Sequence, residues 1–200
     1  MNALFGGAYS GRRVLVTGHT GFKGSWLCAW LELLGARVTG LALAPNTQPS
    51  HWELLGSAGV ASREQDIRDA AAVGRIILDS TPEVIFHLAA QPLVRRSYRD
   101  PLGTLSTNVT GLVNLFEAVR ASARPLVLIN ITTDKVYRPP VPDTGYAESD
   151  ALGGHDPYSA SKACAELISE SWRESYFQAQ GVALATARAG NVIGGGDWSA

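Results

Sequence analysis

The segment RVLVTGHTGFKGSWLCAWLELLG, residues 13–35, decides how this chain folds. Its first five residues are rich in β-branched apolar side chains and have the length of a strand. A turn with glycines in GxxGxxG spacing follows at 18–24, and residues 25–34 have the length and composition of a helix that closes at Gly35. Backbone N–H groups at such a turn, with the positive end of the helix, bind anions. The segment therefore predicts a dinucleotide site, with an ordinary strand-to-helix turn as the alternative.

Strand-like and helix-like patterns alternate through the rest of the chain. The second strand ends in Leu43-Ala44-Pro45, without the acid that binds the adenine ribose in many dinucleotide folds, so it indicates no preference between NAD and NADP. This alternation predicts an α/β fold with a doubly wound parallel sheet of Rossmann type. Further strands are predicted at 37–43, 60–65, 83–90, 126–131 and 182–187, and helices at 68–80, 97–121 and 158–178.

Composition narrows the class of protein. The 200 residues are 46% hydrophobic with a formal charge of -1, which predicts a globular chain and no nucleic-acid partner. Every apolar stretch is too short to span a bilayer, and residues 1–10 do not resemble a secretory signal. Cys28 and Cys164 lie far apart and make neither a disulfide framework nor a metal site, so we expect a cytoplasmic protein without a bound metal.

Tyr158 and Lys162 carry the strongest chemical signal outside the glycine turn. They are four residues apart on a predicted helix, so their side chains share one face. A nearby ammonium favours the phenolate and lowers the pKa of a tyrosine, which can then accept a proton from a substrate hydroxyl. A solvated helix face is the alternative. Thr133 follows the strand at 126–131, so its hydroxyl is expected in the crevice at the strand's carboxyl end, while Thr132 points the other way.

Several motifs together resemble the extended short-chain dehydrogenase/reductase family. They are GHTGFKG at 18–24, HLAA at 87–90, Asn108, TTDK at 132–135 and YSASK at 158–162. Longer stretches, HLAAQPLVRRSY at 87–98, LGGHDPYSASKACAEL at 152–167 and ARAGNVIGGGDW at 187–198, are similar to its sugar nucleotide 4,6-dehydratase branch. The resemblance implies NAD as the cofactor and a nucleotide sugar, CDP-glucose, as the substrate.

The resemblance also assigns roles to individual residues. It implies that Tyr158 takes a proton from the sugar O4 during hydride transfer from C4 to NAD, that water then leaves across C5 and C6, and that the hydride returns to C6. The implied catalytic residues are Thr133, Asp134, Lys135, Tyr158 and Lys162. The implied cofactor contacts are Gly18, Thr20, Gly21, Phe22, Lys23, Gly24, Asp66, Ile67, Leu88, Ala89 and Ala90 with Tyr158 and Lys162, and the substrate contacts are Gln91, Thr133 and Asn191.

Three of these roles have alternatives. Asp134 is the implied acid for the leaving C6 hydroxyl if burial raises its pKa, and Lys135 is the implied base for the C5 proton or a group that stabilises an enolate. The pair could instead be a surface salt bridge. Asp66 could cap the following helix instead of binding adenine.

Two other functions remain open from the sequence. One is a sugar nucleotide 4-epimerase or reductase of the same family, and the other is a nucleotide-binding module without turnover. We expect residues 1–200 to form one NAD-binding domain, with a smaller substrate domain following after residue 200 and not included in this chain. We also expect a homodimer through the apolar faces of helices 97–121 and 156–178.

Overall fold

The computed structural model describes residues 4–56 and 59–198. Its centre is a sheet of six parallel strands in the order β3-β2-β1-β4-β5-β6. The chain order reverses between β1 and β4, so a crevice opens there at the carboxyl ends of the strands, where ligands bind in such sheets. The strands are β1 Arg13–Thr17, β2 Arg37–Ala42, β3 Ala61–Glu64, β4 Val84–His87, β5 Val127–Thr133 and β6 Ala183–Ala189.

Helices cover both faces of the sheet. A π-helical turn, Ser106–Thr110, joins α5 to α6, and a second one, Arg173–Phe177, joins α7 to α8. The helices are α1 Phe22–Leu33, α2 His51–Leu55, α3 Ala70–Ser80, α4 Val94–Arg99, α5 Pro101–Leu105, α6 Gly111–Ser122, α7 Pro157–Trp172 and α8 Gln178–Gln180.

The side-chain alternation of β1 divides the core into two layers. Leu15 points to the face covered by α3, α6 and α7, where it joins a cluster that includes Ile85 and Leu128. Val14 and Val16 point to the opposite face and pack with α1. Successive residues of a strand face opposite sides, so one five-residue strand anchors both layers. The doubly wound architecture predicted from the alternating pattern is confirmed.

Helix starts and strand ends differ from the prediction. α1 begins at Phe22, inside the glycine turn, instead of at Ser25, because Gly24 is accommodated within the first helical turn. β5 continues two residues beyond the predicted end, to Thr133. The short helix α2 was not predicted, and it is capped by Ser50, whose hydroxyl accepts from Glu53 N. Within the described ranges, no helix is long and apolar enough to cross a membrane.

Candidate active site

The glycine turn forms a cradle that side chains would fill. Gly18 has φ of +74°, and a Cβ there would lie 2.8 Å from Ala89 N on the neighbouring strand end. A Cβ at Gly24 would lie 2.1 Å from Gly18 O, so α1 can approach the turn only with glycine at this position. The N-cap of α1 is Gly21, which has no side chain to accept from the first-turn N–H groups beginning at Phe22. Those groups are therefore available to an anion, which fits a pyrophosphate.

Thr17 and His87 hold the two strand ends of the crevice together. Thr17 Oγ1 accepts from Leu88 N and Ala89 N, both at 3.2 Å, and lies 2.7 Å from His87 Nδ1. Because the hydroxyl already accepts twice, it donates its own hydrogen to the imidazole. Burial, with a smaller contribution from the positive charge of Lys162, lowers the pKa of His87 to about 3. The imidazole is therefore neutral and structural, and it places residues 88–90 beside the glycine turn.

Two predicted cofactor contacts already have partners within the protein. The Thr20 hydroxyl donates to Leu43 O at 2.8 Å, which leaves its oxygen as an acceptor only. Asp66 forms a 2.5 Å ion pair with Arg68, and the hydrogen bonds from Arg68 lower the pKa of this carboxyl. The alternative that Asp66 caps a helix is wrong, because Asp69 is the N-cap of α3.

The remaining predicted cofactor contacts differ in what they can offer a ligand. Ile67 is 4% exposed and packs in the core, so only its backbone can reach adenine. Ala90 is partly buried at the end of β4. Lys23 is partly buried as well, and burial lowers the pKa of its ammonium. Its charge also lowers the pKa of Lys162, so two lysines converge on the crevice.

Thr133, Tyr158 and Lys162 meet at the carboxyl end of β5. Helix α7 begins one residue before Tyr158, with Asp156 as its N-cap, so the phenol and the lysine lie on the first two turns. Lys162 Nζ donates to Ile131 O at 3.1 Å, which fixes the ammonium against β5. The Thr133 side chain acts on the Tyr158 phenol and opposes the increase of its pKa. Tyr158 and Lys162 are 8% and 7% exposed, so the alternative of a solvated helix face is wrong.

The electrostatics of this group differ from the expectation. Burial raises the pKa of the Tyr158 phenol, the interaction with Thr133 lowers it, and the charge of Asp134 raises it, with a net increase. The predicted lowering of this pKa by Lys162 is thus wrong in the unliganded protein, because desolvation dominates. Burial, assisted by Lys23, lowers the pKa of Lys162 to about 8. Both groups therefore resist carrying charge in this buried site.

Asp134 and Lys135 follow directly, in a short 3₁₀ turn. Their side chains are 54% and 44% exposed and form an ion pair of 3.6 Å. The burial on which the acid role of Asp134 depended is therefore not present, and the salt bridge named as an alternative is formed. Thr133 Oγ1 donates to Asp134 Oδ1 at 3.1 Å, so the pair adjoins the buried group. A Cβ at Gly190 would lie 3.4 Å from Asp134 Oδ2, which brings the loop after β6 to the same place.

The two predicted substrate contacts have different environments. Gln91 is 6% exposed. Its side-chain amide donates to Leu93 O and Thr104 Oγ1 and accepts from Leu93 N, at 2.7 to 3.1 Å. It therefore has a structural role, and the predicted substrate contact is not supported. Asn108 in the first π-helical turn pairs with the Gln91 backbone and donates to Ser161 Oγ at 2.9 Å, so it ties this segment to α7. Asn191 lies exposed in the loop after β6.

A buried ion pair behind the site was not predicted. Glu166, one turn beyond Lys162, accepts a hydrogen bond from Thr132 and a 3.0 Å ion pair from Arg188 on β6. Arg188 also donates to the Tyr137 hydroxyl at 2.9 Å and lies over its ring. The Glu166 carboxylate thus fixes α7 against β5 and β6. The sequence signal was present, since residues 158, 162 and 166 repeat at four-residue spacing, and a charge at the third position of a buried face requires a partner.

Known proteins share much of this sequence. Residues 15–188 match the family model described as GDP-mannose 4,6 dehydratase. A CDP-glucose 4,6-dehydratase of Salmonella typhimurium is 49% identical over 197 residues, covering 96% of this chain and 55% of that protein. A UDP-glucose 4-epimerase of Mycolicibacterium smegmatis is 36% identical over 168 residues, covering 82% of this chain and 52% of that protein. The chain thus spans about half the length of the curated relatives it matches.

A solved structure shares the architecture. The UDP-glucose 4-epimerase of Thermus thermophilus, in complex with NAD, superimposes with a TM-score of 0.74 at 30% identity. The match covers 88% of this chain and 54% of the epimerase chain. The six strands and their flanking helices are therefore a fold that known enzymes acting on nucleotide sugars use.

Proposed function

The chain belongs to the GDP-mannose 4,6-dehydratase family, and from this membership we propose that it provides the NAD-binding and catalytic part of a CDP-glucose 4,6-dehydratase. The observation that carries the proposal is the meeting of Thr133, Tyr158 and Lys162 beside an uncapped glycine turn. The product is CDP-4-keto-6-deoxyglucose. The choice of CDP-glucose rests on the 49% identity to the Salmonella enzyme.

The glycine turn supports NAD as the resident cofactor. The first-turn N–H groups of α1 are open to the pyrophosphate, and a Cβ at Gly18 or Gly24 would fill the space that it needs. In this proposal, residues 88–90 and the backbone of Ile67 would line the adenosine side of NAD, and Tyr158 and Lys162 would face its nicotinamide ribose. NAD bound there would supply a hydride acceptor for C4 of the sugar and a hydride donor for C6.

Tyr158 and Thr133 handle the proton of the sugar O4. The phenol must be ionised to accept this proton, and burial raises its pKa in the unliganded protein. A hydrogen bond donated by Thr133 to the phenol, in place of the one to Asp134 Oδ1, would favour the phenolate, and the positive charge of an oxidised nicotinamide would act in the same direction. Lys162 is held by Ile131 O on the same edge, so its ammonium can bind the ribose hydroxyls without moving. Cofactor binding thus prepares Tyr158 for proton transfer.

Asp134 and Lys135 serve the elimination. A 4-keto group acidifies the C5 proton, which neutral Lys135 takes, while protonated Asp134 gives a proton to the leaving C6 hydroxyl. Lys135 then returns the proton to C5 when the hydride is added at C6. In the structure the two side chains form an ion pair of 3.6 Å. An ion pair has the opposite protonation states from those that the elimination needs. Transfer of one proton from Lys135 to Asp134 converts this pair into the working acid and base.

Mutations should separate oxidation from elimination. In the full-length enzyme with CDP-glucose, Tyr158→Phe should abolish the first hydride transfer and leave bound NAD oxidised. Asp134→Asn should permit that transfer yet slow loss of water roughly a hundred- to ten-thousand-fold, the usual contribution of a general acid. The expected sign is accumulation of enzyme-bound NADH absorbance during single turnover.

Product analysis decides between this function and its alternatives. If Asp134→Asn forms the 4-keto-6-deoxy product at the wild-type rate, Asp134 is not the acid. A wild-type product that is the 4-epimer would instead assign the protein to the epimerases, as its 36% identity to a UDP-glucose 4-epimerase allows. A wild type that binds NAD and CDP-glucose without any product would be a nucleotide-binding module.

The assembly proposed is a homodimer through helices 97–121 and 156–178, which correspond to the end of α4, α5, α6 and α7 with the segment that follows it. The outer surface of these neighbouring helices exposes Tyr98, Leu102 and Leu167 by 67%, 78% and 54%. Two copies of such an apolar stripe can cover one another by twofold symmetry. Free thiols at Cys28 and Cys164 support a reducing compartment, the cytoplasm, as the site of action.

A further inference from the structure

The loop after β6 reaches from the reactive edge of β5 to helix α1. We call residues 190–196 the strap. At its beginning, a Cβ at Gly190 would lie 3.4 Å from Asp134 Oδ2. Near its end, Gly195 O accepts a 2.9 Å hydrogen bond from Trp26 Nε1. The strap therefore contacts both sides of the crevice.

The order of the strands shows what the strap must cross. β4 and β5 lie between β6 and β1, so three strand spacings, about 14 Å, separate the end of β6 from the start of α1. The six residue steps from Ala189 to Gly195 reach about 20 Å at most. The strap consequently has to cross the carboxyl ends of β4 and β5, where the candidate active site lies.

Two aromatic side chains fasten the far end of the strap. The rings of Trp26 and His51 stack at 4.5 Å, and His51 Nδ1 lies 2.7 Å from Ser25 Oγ. Ser25 donates its only hydrogen to Phe22 O at 2.9 Å, so the imidazole must donate at Nδ1. This arrangement fixes the imidazole, and the imidazole in turn orients the indole N–H toward Gly195. We call Trp26, His51 and Ser25 the clasp.

The strap is shaped to lie on the clasp. A Cβ at Gly194 would lie 3.2 Å from the Phe22 ring, and one at Gly196 would lie 2.4 Å from the His51 ring. Gly196 also has φ of +87°, which side chains disfavour. At Gly195, by contrast, an added Cβ would meet nothing within 4 Å. The glycines at 194 and 196 thus permit close contact, while the one at 195 is spatially dispensable.

We infer that the strap, held by the clasp, closes the dinucleotide site and retards cofactor release. This inference rests on the proposed function, because a cofactor that takes up and returns a hydride within one cycle must remain bound between turnovers. The hydrogen bond from Trp26 Nε1 to Gly195 O and the close contact of Gly196 with the His51 ring have to break before the strap can lift from α1. Trp26 and His51 are therefore positioning residues, and neither is assigned to a chemical step.

Substitution of Trp26 with phenylalanine tests the hydrogen bond while keeping an aromatic ring against His51. Loss of one neutral hydrogen bond should accelerate NADH dissociation roughly two- to tenfold, measured by stopped-flow displacement with excess NAD. Trp30 is the matched control: it lies one turn away on α1, is equally exposed at 48%, and contacts the Phe5 ring instead of the strap. Trp30→Phe should leave the dissociation rate unchanged.

Glycine substitutions provide a second, independent pair. Gly196→Ala should accelerate NADH release and increase hydrogen exchange at residues 190–196 in the cofactor-free protein, because the new methyl group displaces the strap from His51. Gly195→Ala should change neither.

The outcomes separate the inference from the function on which it rests. Tight NADH binding with equal release rates in Trp26→Phe and Trp30→Phe would overturn the strap alone. Failure of the wild type to bind NADH would overturn the cofactor assignment and the inference together. Faster exchange and faster release in Gly196→Ala than in Gly195→Ala would support the closing role.

Discussion

Replacing Lys162 with methionine should stabilise the cofactor-free protein near pH 7. The lysine is 7% exposed, and burial, with the charge of Lys23, lowers its pKa from 10.5 to about 8. This difference of about 2.5, at 1.36 kcal/mol for each pKa unit, corresponds to a penalty of about 3 kcal/mol for the buried ammonium. Methionine keeps an apolar stem but loses the hydrogen bond to Ile131 O, worth about 1 kcal/mol. The expected net gain is about 2 kcal/mol, with loss of catalysis.

The sign of the pH dependence makes the reasoning testable. Below about pH 8 the ammonium is charged in both states, so the wild type bears the full penalty. As the pH rises from 8 toward 10.5, the folded protein loses this proton while the unfolded chain keeps it, and wild-type stability rises relative to the variant. By pH 9.5 about half of the penalty is relieved, which brings the two proteins close in stability.

Urea denaturation at pH 7 and pH 9.5 measures both quantities. Lys135→Met is the matched control, because that side chain is 44% exposed and its removal should change stability little at either pH. A Lys162→Met variant that is less stable than the wild type at pH 7 would refute the reasoning. A stability difference that is the same at both pH values would refute it as well.

Two further predictions concern the glycine turn and the assembly. Gly24→Ala should reduce NAD affinity at least tenfold and cost about 1–3 kcal/mol of stability, since its methyl group would lie 2.1 Å from Gly18 O. Titration calorimetry measures the affinity and thermal melting measures the stability. Gly74→Ala on α3, where an added Cβ meets nothing within 4 Å, should leave NAD affinity unchanged. Leu102→Glu should convert the dimer to a monomer in sedimentation experiments, whereas Leu78→Glu, on α3 and 65% exposed, should not. A monomeric wild type at micromolar concentration would contradict the dimer.

The architecture was predictable because its signals are local. Strand β1, the glycine turn and α1 are adjacent in the sequence. Each can be recognised from its composition or from apolar residues that recur with the 3.6-residue period of a helix or the 2-residue period of a strand. The start of α1 was misplaced because glycine within a first helical turn has no sequence mark that distinguishes it from a loop. Helix α2 was missed because five residues provide too little periodicity.

The residues of the candidate site could be predicted from the sequence, but the directions of their pKa shifts could not. Tyr158 and Lys162 are four apart on one helix, so their shared face follows from geometry. Their pKa directions depend on burial by distant elements, which the sequence does not give. The same limitation explains Gln91, whose partner Thr104 lies 13 positions away, and Glu166, whose partner Arg188 lies on another strand. Contacts between distant segments are what the sequence pattern leaves undetermined.

The neighbouring threonines at the end of β5 limit the insertions and deletions that this strand can accept. Thr132 faces inward to Glu166, and Thr133 faces the phenol of Tyr158. A residue with a structural role and a residue of the candidate active site are therefore adjacent in the strand. Insertion or deletion of one residue within Val127–Thr133 would reverse the facing of every side chain beyond it. It would leave Glu166 without its hydroxyl partner on the strand. Length variation should therefore be accepted in the exposed loop between β5 and α7, at residues 138–150, and rejected within the strand itself.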